Sequence, residues 1–144
     1  MSPQTTQFII TAVIFLHGLA HGRAAAALLI QAGGKRLKDW LPMRIWLVPS
    51  LEPKIAALIA SFFWVPATLG FIAAALALWG ILAQGMDWRT LALGSAVLST
   101  LGSALFSGIW PGAPNRKLSN LDTVISLVIN VAIILALQVF GWQA

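Results

Sequence analysis

A chain of 144 residues that is 59% hydrophobic and only 9% charged, with mean hydropathy +0.88, lies far below the roughly 25% charged residues of a soluble domain. A chain this small leaves too much of its area exposed to hide that apolar surface from water, so an ordinary soluble enzyme is excluded and an integral membrane protein is predicted. Nine Lys and Arg face four Asp and Glu, but the basic residues lie in loops beside apolar runs, which fits orientation in an anionic membrane and argues against nucleic acid as a partner.

Four apolar runs reach the ~20 residues that a spanning helix needs, at about 8–30, 55–82, 88–110 and 118–140. They predict an all-α, four-transmembrane-helix bundle, a single domain over residues 1–144, with an interfacial segment in the first loop. Met1 to Gln7 carries no Lys or Arg, and the run that follows is too long for the apolar part of a signal peptide. The first span contains Phe15-Leu16-His17-Gly18-Leu19-Ala20-His21-Gly22-Arg23, an unusual density of polar groups for a bilayer.

The loop at 33–54 interleaves Lys35, Arg36, Lys38, Arg44 and Lys54 with Trp40, Leu41, Met43, Ile45, Trp46 and Leu47. That mixture suits the headgroup region, as an interfacial helix or ribbon or as an irregular loop anchored by its tryptophans. Pro53 opens the second span, and Pro66 should kink it. The link Gly85-Met86-Asp87 leads to the third span, with Asp87 as its N-cap. Pro111 and Pro114 stop that helix, and Ser119-Asn120-Leu121-Asp122 reads as a capping box opening the fourth. The first and third loops share one side and hold the five basic residues above plus Arg116 and Lys117, whereas the other side holds only Arg89. The positive-inside rule then places both termini outside the cytoplasm.

Polar side chains inside spans are costly unless satisfied, so they point toward a site. The fourth span carries Asp122, Ser126 and Asn130 at four-residue steps, and the third carries Ser95, Ser99, Ser103 and Ser107. Small residues at that spacing are first of all a packing surface, as is the Gly18/Gly22 pair, and the serines can bond back to their own helix. His17 and His21, one turn apart, could present both rings to one metal ion. They cannot supply both axial ligands of one haem, and a metal site built from protein alone would have to recruit Asp122. With no cysteine in the chain, thiolate ligation is excluded, and no particular cofactor is implied. Hydrogen bonding of the histidines to Asn130, to the serines or to a ligand head group is the simpler expectation. Arg23 is permanently charged and its natural partner is Asp122, near the end of the antiparallel fourth helix. Asn130 lies about 12 Å deeper than Asp122, level with His17.

These features resemble a group of small bacterial four-helix membrane proteins. The shared motifs are His17-Gly18-Leu19-Ala20-His21 in the first helix, Trp64 to Phe71 in the second, Trp88-Arg89 through Ser99 to Trp110-Pro111 in the third, and Asn130 in the fourth. The long basic first loop and the Pro111-Gly112-Ala113-Pro114 stretch depart from that pattern. The resemblance implies a multi-pass protein of the bacterial inner membrane and brings no activity with it. DoxX-like and sterol-isomerase-like bundles are similar only at the level of the fold.

Three functions follow as expectations. A bundle with polar rows and few ionisable groups suits binding of a hydrophobic small molecule or lipid, or a subunit role in a homo-oligomer or larger membrane complex, with His17, His21, Ser99, Ser103, Ser126 and Asn130 as the ligand-facing set. An intramembrane enzyme acting on a lipid or isoprenoid would use His17 or His21 as general acid/base, oriented by Asn130 or Asp122. A tetrapyrrole or metal protein would use His17 or His21 as ligand. A channel or transporter is disfavoured, because the halves show no paired broken helices.

Overall fold

The computed structural model describes residues 2–35, 39–82, 85 and 87–138. Among them the chain forms four helices, α1 (Pro3–Ala32), α2 (Pro53–Leu78), α3 (Trp88–Leu105) and α4 (Arg116–Gln138). Helix α1 opens with Pro3 in its first turn and Ser2 as N-cap, whose Oγ accepts from the Thr5 N–H. It ends where Gly34 takes φ +79°, a conformation that costs glycine little. Helix α2 runs unbroken through Pro66. Helices α1, α2 and α4 are long and apolar enough to cross a membrane.

The third helix departs from the prediction. It is 18 residues long, about 27 Å, against the ~30 Å of a hydrocarbon core. The run toward Trp110 leaves helical geometry at Phe106 (φ −110°, ψ 33°) and turns at Gly108 with φ +75°. The serine row also dilutes its apolar character, so three helices rather than four qualify as membrane spans on length and composition. At its start Asp87 caps as predicted, accepting from the Arg89 and Thr90 N–H groups. The Thr90 hydroxyl, then the Arg89 N–H, hold that carboxyl below its ordinary range. The resulting stabilisation is present above the ordinary carboxylate pKa and lost as pH falls through the lowered one.

The fourth helix is capped one turn earlier than its sequence suggests. Asn115 Oδ1 accepts from the Leu118 N–H at 2.9 Å and its carbonyl accepts from Ser119 N. Ser119 is therefore inside the helix, and its hydroxyl is committed elsewhere. Asn115 wins because Pro114 ends the preceding turn and leaves an Asx side chain at the first position that can cap.

Packing follows chain order, α1 on α2, α2 on α3 and α3 on α4. One apolar core gathers around Trp64, Phe106, Trp110, Leu28 and Met43, and the other around Phe71, Ile10, Ile14 and Ala96. Gly18 lets α1 approach α2 closely, since a Cβ there would stand 3.0 Å from Phe71 Cβ. The loop after α1 closes one end of the bundle. Met43 and Ile45 are buried in the first core, Leu41 N donates to the Ala113 carbonyl, and Trp46 Nε1 donates to the Ala104 carbonyl at 2.8 Å. Its described part is a non-helical plug rather than an interfacial helix, with Trp46, Leu47 and Val48 outward. Arg36, Lys38 and Met86 lie outside the described residues. Phe8, Leu16, Phe62, Leu69 and Val128 all face outward, an apolar exterior far beyond what a water-soluble monomer presents.

A close helix contact makes a direct test. A Cβ on Gly102 would stand 2.6 Å from Trp64 Cζ3 and 2.9 Å from Phe63 Cβ, whereas one on Gly94 meets nothing within 4 Å. Gly102→Ala should cost about 1–3 kcal/mol by overpacking, and Gly94→Ala should be neutral or slightly stabilising. Unfolding in detergent, followed by circular dichroism, compares the two.

Candidate functional site

Helix α1 presents Val13, Leu16, His17, Ala20 and Arg23 at three- and four-residue steps, so they share one face. Asp122, Ile125, Ser126 and Ile129 do the same on α4. These two faces, with Trp110, line a groove of about 340 Å³. Two polar bridges cross it. At one level His17 Nε2 lies 2.9 Å from Asn130 Oδ1, and nearer the plugged end Arg23 Nη2 lies 3.1 Å from Asp122 Oδ2. Arg23 is 67% and Asp122 30% exposed. In water such a pair contributes about 0–1 kcal/mol, and it would gain strength with the walls in a medium of low dielectric constant.

Behind the groove, a buried string of hydrogen bonds joins α1, α3 and α4. Asn130 Nδ2 donates to Ser99 Oγ at 2.7 Å, and in this orientation of the amide Asn130 Oδ1 accepts from His17 Nε2–H. Ser99 Oγ stands 3.0 Å from His21 Nε2 and Ser126 Oγ 3.2 Å from the same nitrogen. A Ser99 hydroxyl that accepts from Asn130 has its own proton available for His21 Nε2. The proton of a neutral His21 then belongs on Nδ1, which is buried with no partner. Such an unmade bond costs on the order of 1–3 kcal/mol. The two imidazoles meet edge to face at 4.6 Å between centroids, and Phe71 flanks both at 4.8 and 5.6 Å.

Trp110 completes the enclosure, with its ring 5.2 Å from that of His21. It is held there by Ser119, whose Oγ accepts from the Trp110 N–H and donates to the Gly108 carbonyl. Gly112, at φ +76°, keeps the turn against α1, where a Cβ would reach within 2.9 Å of Ala27 Cβ. Sequence reasoning missed Trp110, Phe71 and Ser119. Phe71 and Trp110 stood out only as motif residues without a role, and Ser119 only as a helix cap.

The residues singled out from sequence separate into three groups. His17, Ser126, Arg23 and Asp122 line the groove. His21, Ser99 and Asn130 are fully buried behind it and would reach a ligand in the groove only through their neighbours. Ser103 is buried, and its hydroxyl has no partner; Ser95 bonds back to the Leu91 carbonyl. Asp122 pairs with Arg23 and touches neither imidazole among the described residues. Both Nε2 atoms are engaged by oxygen, so chelation of one ion through them would have to break the buried contacts to Asn130, Ser99 and Ser126. Among the described residues no three His, Asp or Glu side chains gather as a metal site. His17 differs from His21 in lining the groove, and its Nδ1 makes no hydrogen bond among the described residues.

Comparison with protein-family models, with curated proteins and with solved structures finds no match.

The string predicts energetic coupling across three helices. Asn130→Leu should destabilise by about 1–3 kcal/mol by stranding His17 Nε2 and Ser99 Oγ. In combination with His17→Phe the loss should fall short of the sum by about 0.5 kcal/mol or more. A double-mutant cycle of detergent unfolding measures that difference, and strict additivity would contradict the contact.

Proposed function

We propose that the protein lies in the bacterial inner membrane with both termini outside the cytoplasm, and that the groove between α1 and α4 binds a membrane amphiphile with a small hydroxyl-bearing head. The observation that carries this reading is a largely apolar trough whose lining includes His17 and Ser126. Pockets built this way bind through their walls and orient the ligand through the few polar atoms. A hydroxyl both donates and accepts, so it can engage an imidazole nitrogen and a serine together. The apolar body would run along Val13, Leu16 and Ile129, and the Arg23–Asp122 pair would border the groove toward the plugged end.

A second reading, catalysis on such a ligand, is favoured by one detail. Asn130 fixes the orientation of the His17 ring, a residue of the groove wall, and leaves its other nitrogen without a hydrogen bond among the described residues, as a general base or acid requires. His21 is enclosed and would support His17 rather than touch a substrate. On this reading His17→Ala abolishes turnover in a protein that still folds.

Ala20 is exposed on the groove wall, so Ala20→Phe should fill the trough without disturbing either core. Native mass spectrometry of the gently purified protein should detect a co-purifying amphiphile that is lost, or at least tenfold depleted, in this variant, with unfolding in detergent unchanged. Identical ligand content in both proteins, or none in the wild type, would overturn the proposal.

A further inference from the structure

A second recess opens at the plugged end of the bundle, about 15 Å along α1 from His21. It holds about 280 Å³ between the end of α1 and the start of α2 and is lined by Gln31, Gly34, Lys35, Glu52, Pro53 and Lys54. Gln31 is only 5% exposed, yet its Nε2 has no hydrogen-bond partner. A buried amide donor left unpaired is uncommon and calls for an explanation. Lys54 closes over the same space, its Nζ 4.0 Å from where a Cβ on Gly34 would stand.

The charges around the recess are arranged in a particular way. Glu52 is the N-cap residue of α2, but its side chain makes no capping bond. Among the described residues Arg23–Asp122 is the one ion pair within 4 Å, so Lys35, Lys54 and Glu52 share a cavity without pairing there. Two lysines and an amide side chain line space suited to an anion. A carboxylate on the rim would repel a simple anion and accept from a cation.

We infer that this recess binds the phosphoethanolamine head group of a membrane phospholipid. The phosphate takes the Gln31 amide and the Lys35 and Lys54 ammonium groups, and the lipid's own ammonium donates to Glu52. A phosphodiester with one attached cation satisfies every polar group on the wall, including the stranded Gln31 nitrogen. A phosphatidylglycerol head offers Glu52 only hydroxyls and no charge, and a choline head has no N–H to donate. The site is separate from the α1–α4 groove and shares with the function proposed above only the placement in a bilayer, where this end of the bundle meets the head groups.

The full chain, reconstituted in phosphatidylcholine nanodiscs doped with either phosphatidylethanolamine or phosphatidylglycerol, tests the inference by native mass spectrometry of retained lipid. Phosphatidylethanolamine should be retained about tenfold or more over both others, as expected for hydrogen bonds to charged groups. Gln31→Leu and the exposed Lys54→Gln should each remove most of that excess. Glu52→Gln should bring phosphatidylethanolamine and phosphatidylglycerol level. Ala20→Phe, which fills the other groove, should change none of this. Equal retention of all three lipids by the wild type would overturn the site, as would wild-type retention in both Gln31→Leu and Lys54→Gln. Stabilisation by soluble phosphoethanolamine without any lipid preference would overturn the lipid as its source.

Discussion

The hydrogen bond between His17 and Asn130 is the constraint on which the site depends. Helices α1 and α4 are joined less by packing than by this bond and by Arg23–Asp122, while α2 and α3 supply the apolar contacts that hold the bundle together. A groove survives between the outer pair because polar bridges fix their separation where side chains do not fill it. In surroundings that offer no competing water, each such bridge is costly to break. Few contacts are therefore enough to keep the trough open at a defined width.

Helix identity was largely legible in the sequence, because apolar runs and proline punctuation act locally. Asp87 caps α3 as its position suggests, since nothing distant competes for its carboxylate. Ser119 shows where that logic stops. Its spacing to Asp122 is that of a capping box, but the turn after α3 brings Gly108 and Trp110 within reach of the hydroxyl, and Asn115 already serves the helix end. Sequence spacing records which bonds a serine can make along its own helix and is silent about a loop folded against it.

The same limit governs the site. The depth argument pairing Asn130 with His17 relied only on helix rise and antiparallel order, and those two residues do meet. The division of the histidines into one facing the groove and one sealed behind it was not legible, because it depends on where the rings of Phe71 and Trp110 stand. The plug of Met43 and Ile45 was hidden for a related reason. Basic and aromatic residues in alternation look the same whether the segment floats at an interface or inserts two side chains into the end of a bundle. Gln31, an unremarkable amide near the end of a long helix, carries no sequence signal at all.

Asn130 gives the string of buried bonds a direction, because a carboxamide offers an oxygen to one neighbour and an N–H to the other. Half a rotation of that one group would reverse every link at once, from His21 through Ser99 to His17, and would exchange a lone pair for a proton at His17 Nδ1. The interior thus has two internally consistent polarities of equal bond count, and on the proposed reading a ligand in the trough would select between them by what it offers His17.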